Sequence, residues 1–282
     1  MAIDLHCHTK LSDGSTTIDD LIFISRRARI NTIAVTDHDT FSGAKRAVVL
    51  GKRFGINVIL GAEFSSYSVK FKKEIHILCY MCEFPDRLEG LCQINAQVRH
   101  DTILSVLQKV MKYFPISPEM VSAKARGSSN IFENHILQAV MDAGYTSTSY
   151  KAFSYKLLSD SYELSEIIAR YPEPEKVISL IHAAEGIAIL AHPSNEDETE
   201  LLPDLVNYGI DGIEVFNPDI KSELREKLER FAKFNDLLVT GGSNFHGMYS
   251  LYPRPVGFSE TNETDLMSLI ERKTVIFQNI KC

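Results

Sequence analysis

No stretch of this 282-residue chain approaches the roughly 18–20 consecutive apolar residues needed to cross a bilayer as a helix, which excludes a helical membrane protein. The amino terminus MAIDLH runs into an apolar strand without a basic leader region or a small-residue cleavage site, so the expected location is cytoplasmic. Cysteine is scarce and irregular. Its five copies, Cys7, Cys79, Cys82, Cys92 and Cys282, form no paired framework and are expected as free thiols of a reducing compartment. Cys79 and Cys82 make one CxxC, but a spacing of three on a predicted strand should turn them to opposite faces, and no second pair completes a zinc knuckle. A basic surplus is also missing: 30 Lys and Arg stand against 37 Asp and Glu, a net charge of -7 that opposes binding to long duplex nucleic acid. The local run KFKK at 70–73 is expected as a solvated strand edge. There is no internal repeat or low-complexity segment, and no heptad run that would indicate an oligomer.

Hydrophobic content of 44% and charged content of 24% are those of a soluble globular protein, sized for one core plus an insertion. Short β-branched or apolar runs recur at 3–5, 32–35, 56–60, 75–80, 187–191, 211–215 and 237–240. Helical periodicity separates several of them, as in Ser42 to Phe54 and Lys221 to Phe234, and Thr16 with Asp19 has the spacing of a helix-start capping box. Strand and helix in alternation imply an α/β fold with a parallel sheet, and seven strands suggest a closed or nearly closed barrel. The alternation breaks once, where helical patterns such as Gln93 to Tyr113 and Asn130 to Ala143 follow one another. The expected organisation is therefore a barrel in two parts, 1–82 and 173–282, with an inserted helical subdomain at 83–172 serving as lid or substrate wall.

The polar residues fall on this map in a pattern. His6 and His8 flank one residue at the end of the first strand, where i and i+2 share a face and both imidazoles can approach one ion. The second strand ends in AVTDHDT with His38, the third in LGAEFS with Glu63, and the fourth carries His76 in EIHILCY. The fifth ends in LAHPS with His192, the sixth in IEVFNP with Glu214, and the seventh in TGGSNFHG with Asn244 and His246. Taken singly, each has a bland explanation as a turn residue, a helix cap or a hydrogen-bonded core histidine. Jointly they fit the convergence of catalytic groups at the carboxyl ends of barrel strands. Histidine mixed with carboxylate suits Mn2+, Fe2+ or Zn2+ better than Mg2+ or Ca2+. His100, His135 and His182 lie in helical stretches and read as structural or surface residues.

DLHCHTKLSDGS, AVTDHD, GAEFS, EIHILCY, LAHPS and GGSNFHG together resemble the successive motifs of the PHP (polymerase and histidinol phosphatase) superfamily, from residue 3 to about 258. The helical insertion resembles that of its phosphoesterases related to nucleoside 3',5'-bisphosphate phosphatases. The resemblance implies a distorted seven-stranded (β/α)7 TIM-like barrel holding two to three divalent metal ions. It places His6, His8, Glu63 and Asn244 on the first ion, Glu63, His76 and His192 on the second, and Asp13, His38 and His246 on the third. A hydroxide between the first two ions would be the nucleophile, so His8, Glu63 and His192 are the catalytic candidates.

Two positions depart from the family pattern. Asn244 stands where the family usually has Asp, which removes one compensating charge from the first ion. In IFENHIL, Glu133 stands two residues before His135, where the phosphatase branch usually carries an Arg that clasps phosphate. Arg254, Lys10 and His135 are then the candidates for holding substrate. Three readings compete: a phosphoesterase acting on a small phosphorylated compound such as a nucleotide or short oligonucleotide end, a histidinol-phosphate phosphatase, and a metal-binding module with little catalysis.

Overall fold

The computed structural model describes residues 2–145, 162–194, 199–250 and 254–280. Cys282 lies outside them; Cys7, Cys79, Cys82 and Cys92 are free thiols. Seven strands form one sheet in sequence order: β1 (Ala2–Cys7), β2 (Ile30–Val35), β3 (Asn57–Ser68), β4 (Lys73–Tyr80), β5 (Ile187–Leu190), β6 (Gly212–Phe216) and β7 (Leu238–Gly241). The expectation of an all-parallel sheet needs correction. β1 to β3 and β5 to β7 pair in parallel, but β4 runs antiparallel to both β3 and β5. A parallel crossover takes a dozen or more residues, and only residues 69–72 separate β3 from β4. The two strands therefore form a hairpin, turned at Lys72 with φ 52. KFKK is this turn and the first residue of β4 rather than a strand edge, and Lys70 there pairs with Asp204 at 2.5 Å. The barrel closes through a short bridge after β7, where Phe245 pairs with Cys7 and accepts a hydrogen bond from the His8 amide at 2.8 Å.

Alternating residues of the strands fill the barrel: Ile3, Leu5, Ala34, Ile59, Leu78, Ile187, Ile189 and Leu238, joined by Leu266 and Leu269 of a carboxyl-terminal helix (Glu263–Ile280). Outside, α1 (Ile18–Arg27) and α2 (Ser42–Phe54) cover β1 and β2 with Leu21, Ile22, Ala44 and Ala47. The cap of α1 is Thr17, one residue beyond the expected Thr16. Its Oγ1 accepts from the Asp20 amide, and Asp19 and Asp20 complement the helix dipole. The chain also turns sharply after β4, at Met81 with φ 53. That turn brings the Cys82 thiol back against Cys79, so the two do not face opposite sides as the strand spacing predicted.

Between β4 and β5 lie α3 (Glu89–Val110), α4 (Pro118–Lys124), α5 (Glu133–Asp142), α6 (Tyr162–Ile168) and α7 (Pro174–Ala183). Ile103, Val106, Leu107, Val110, Val121, Ile136 and Val140 form a core separate from that of the barrel. α3 starts four residues before the expected Gln93, on a 3-10 turn at Pro85–Leu88. α5 starts three residues after the expected Asn130, whose side chain instead bonds the Ala96 carbonyl and the Ile131 amide. Polar anchors tie these helices to the first barrel loop: Ser128 Oγ donates to the Ser12 carbonyl at 2.7 Å and Asn134 Nδ2 to the Asp13 carbonyl at 3.1 Å.

Candidate metal centre

The rim is assembled around β1. His6 and His8 are fully buried and their Nε2 atoms stand 3.0 Å apart, each about as close to Glu63 Oε2, at 3.2 and 3.1 Å. Only glycine permits the strand to lie where it does: a Cβ on Gly242 would come within 2.4 Å of His6 Cβ, and one on Gly14 within 2.7 Å of the His8 carbonyl oxygen. Two further buried acids hold the flanking loops rather than facing the histidines. Asp4 accepts from the Ser243 amide and hydroxyl and from the Gly257 amide, and Asp37 from the Thr9 amide, the Thr9 hydroxyl and the Ser12 hydroxyl at 2.7 Å each. Burial raises both carboxyls, and these donors oppose the rise.

Three groups of potential ligand atoms converge: His8, Asp13, His38 and His246; His6, Glu63 and His192; and His38, Glu63 and His76. All eight of these residues were singled out from sequence. The grouping differs from the one the resemblance implied in placing His8 with the third set: its Nε2 lies against His6 and Glu63, while its Nδ1 stands 3.5 Å from Asp13 and its ring stacks on that of His246 at 4.1 Å. Burial would raise the carboxyls of Asp13 and Glu63, but the surrounding imidazoles outweigh it and hold both well below the usual range. Burial lowers His8 to about 4, aided by His246, which leaves its ring neutral with a free lone pair at neutral pH. At His76 burial is overcome by Glu63 and Glu74, which lift it to about 10. Two ionised carboxylates among six imidazoles form a donor set for borderline divalent ions.

Asn244 lines the same mouth in a left-handed conformation, φ 50, and its Oδ1 is buried without a hydrogen-bond partner. An orphaned acceptor at such a place is costly unless a cation or donor fills it. The Nδ1 atoms of His8, His38 and His76 are buried against carboxylate oxygens, at 3.5 Å from Asp13 and at 3.5 and 3.0 Å from Glu63, without well-directed hydrogen bonds. These atoms fit bound ions.

Glu214, a strand-end acid given no role by sequence, organises the rim. Its carboxylate contacts His6 Nδ1 at 3.0 and 3.1 Å and accepts from the His192 amide at 2.9 Å, so it fixes the His6 ring and presents Nε2 to the cluster. His192 itself takes a positive φ of 28 and brings Nε2 to 3.1 Å from Glu63 Oε1.

The substrate-binding candidates fare differently. Arg254 lines the mouth cavity, but its guanidinium is clasped by Asp219 through bonds of 2.7 and 2.6 Å. Lys10 is exposed and lies outside the cavity lining. His135 is buried, and its Nδ1 accepts from the Phe132 amide at 3.0 Å, so it caps α5 instead of facing the mouth; burial lowers it to about 4. The cation that sequence reading missed is Arg99 on α3. Its Nη2 donates to Asp39 Oδ2 and Ser65 Oγ, both at 2.8 Å, its plane lies 4.7 Å over the Phe132 ring, and its buried Nε has no partner. Asn95, one turn earlier, bonds Asp39 Oδ1 at 2.6 Å and completes the brace. Arg99, Phe132 and Glu133 form the wall of a cavity of about 420 Å³ whose other side is the histidine rim. A second cavity of about 290 Å³ shares His38, Arg99 and Phe132 with it.

A seven-stranded barrel with imidazoles and carboxylates gathered at its strand ends defines a class of metal-dependent hydrolase folds. The PHP domain model matches residues 4–239, and the chain belongs to the PHP domain family. It is 31% identical over 260 residues, 92% of this chain and 98% of the relative, to a phosphoribosyl 1,2-cyclic phosphate 1,2-diphosphodiesterase of Eggerthella lenta. It is 29% identical to a 5'-3' exoribonuclease of Haemophilus influenzae, over 86% of this chain and 89% of that one. A crystal structure from Bifidobacterium adolescentis, described as a metal-dependent phosphoesterase, superposes with a TM-score of 0.84 at 25% identity, covering 96% of each chain. Among the described residues no helix is long and apolar enough to cross a membrane.

Proposed function

We propose that the protein, a hydrolase of phosphoric esters, cleaves a small ester borne on a ribose: a nucleotide, the end of a short oligonucleotide, or a ribose cyclic phosphate. The observation that carries this reading is the convergence of eight ligand residues, four of which (Asp13, His38, His76 and His246) line a cavity that Arg99 also lines. The relatives named above, a cyclic-phosphate diphosphodiesterase and an exoribonuclease, share a phosphoester on a ribose as their substrate chemistry. Within the expected insertion at 83–172, of which residues 146–161 lie outside the described ones, α3 and the start of α5 would serve as the substrate wall.

Two to three divalent ions, Mn2+, Fe2+ or Zn2+, would be held by His6, His8, Asp13, His38, Glu63, His76, His192, Asn244 and His246. Bound there, they would supply Lewis-acid activation of water and neutralise phosphoryl oxygens. The chain's own residues do the rest. Glu63 lies between two of the three ligand groups and neutralises their shared charge. Glu214 fixes the His6 tautomer with the proton on Nδ1, leaving Nε2 as the acceptor. Arg99, held rigid by Asp39, Ser65 and Phe132, offers a preformed donor to a phosphoryl oxygen with little ordering required on binding. Phe132, stacked against His38 at 5.9 Å, excludes water from that side. Protein loaded with Mn(II) should hydrolyse an aryl phosphate ester, and His8→Ala should lower turnover by at least about 1,000-fold while circular dichroism stays unchanged. Undiminished turnover in that variant would refute the assignment.

A further inference from the structure

The cavity wall carries one acid that neither the ion cluster nor the brace uses. Glu133 opens α5, where a carboxylate normally gains from the helix dipole and titrates low. Here the opposite holds. Burial, Glu74 and Asp13 lift it to about 7 against the pull of Arg99, and no hydrogen bond to its carboxyl offsets them. Glu133 therefore does not stabilise the fold through its helix, and it lines the cavity beside Arg99 and Glu74. The charges that act on Glu133 are two acids, Glu74 and Asp13, against one cation, Arg99; the rest of the lining includes Arg254, which Asp219 clasps, and the rim imidazoles His76 and His246. The space between the ligand cluster and Arg99 suits the phosphoryl group that is cleaved. A second phosphate placed toward the start of α5 would meet the Glu133 carboxylate across low-dielectric space, with Arg99, the one cation acting on that carboxyl, already engaged by the first.

We propose that Glu133 is a specificity-determining residue that receives a sugar hydroxyl of the substrate and rejects a second phosphate there, so that the chain acts on ribose esters with a free vicinal hydroxyl rather than on nucleoside bisphosphates. This rests on the phosphoesterase reading above. A hydroxyl is the matching group because it donates to a carboxylate and brings no charge, and a site built to hydrogen-bond a hydroxyl discriminates strongly against an analogue lacking it.

The test compares three probes on the Mn(II)-loaded protein, by calorimetric binding and by release of inorganic phosphate: adenosine 5'-monophosphate, its 2',3'-dideoxy analogue, and adenosine 3',5'-bisphosphate. The wild type should bind the first at least about tenfold more tightly than either of the others. Glu133→Gln, nearly isosteric, should reduce the penalty on the bisphosphate. Glu133→Arg should invert the order, with the change appearing in KM more than in kcat. Equal affinity for all three probes, or a wild type that prefers the bisphosphate, would overturn the proposal while leaving the phosphoesterase reading intact. Failure of any probe to bind, with no phosphate released, would overturn both.

Discussion

The two sides of the mouth hold their charged groups by opposite means. On the rim, imidazoles and carboxylates press together at about 3 Å, and several nitrogen and oxygen atoms make no directed hydrogen bond, an arrangement compatible with divalent ions. On the wall, Arg99 and Asp39 are matched to each other and to Asn95 and Ser65, a network complete but for Arg99 Nε and Asn95 Oδ1. The rim is thus a crowded donor set, whereas most of the wall's polar groups are satisfied within the protein. The contrast teaches where each side stores its specificity: the rim in which ions it accepts, the wall in which part of the substrate fits.

Removing a member should expose that difference. Arg99→Ala leaves Asp39 buried and unpaired and is expected to destabilise the metal-free protein by roughly 3–5 kcal/mol in urea denaturation. His8→Ala, taken from the crowded rim, should cost less than about 2 kcal/mol under the same conditions; equal losses would erase the distinction. Asn244→Asp adds a charge at an orphaned acceptor, and should tighten the weakest-held ion at least about tenfold by competition with a metal indicator. An unchanged affinity would remove position 244 from the ligand set. A further effect, smaller than that of Arg99→Ala, concerns Glu133, whose carboxyl is raised in the folded protein from 4.5 to about 7. Folding then favours the protonated form, so the penalty is absent below about pH 4.5, grows as pH rises to 7, and is complete above it. Glu133→Gln should stabilise the metal-free protein by on the order of 2 kcal/mol at pH 8 and by nothing measurable at pH 4.

How much of this was legible in the sequence follows from how each side is positioned. Rim residues sit at strand ends, and a barrel brings strand ends together whatever the intervening chain, so His6, Glu63, His192 and His246 could be placed from motifs alone. Glu214 was equally visible at the end of β6, but its role depends on which ring it touches, which no spacing shows. The reversed β4 was hidden because the apolar runs at 56–60 and 75–80 leave room for a longer connection, and only the extension of β3 to Ser68 and the start of β4 at Lys73 reduce it to a hairpin turn. Arg99 belongs to a helix positioned by the separate core around Ile103 and Ile136, so its contact with Asp39, 60 residues away, has no local signature. One trace existed: Asn95 and Arg99 are spaced i, i+4 on the buried side of α3, a polar stripe that an ordinary core-facing helix would not carry. His135 misled because its cap geometry, set by Phe132, is indistinguishable in sequence from a phosphate-facing imidazole.

The central claim, that the rim gathers divalent ions, is tested most directly by counting them. Chain equilibrated with Mn(II), freed of unbound metal by gel filtration and measured by inductively coupled plasma mass spectrometry, should retain two or three equivalents, and Glu63→Gln should lose at least one. Retention below half an equivalent in the wild type, or an unchanged count in Glu63→Gln, would contradict the account.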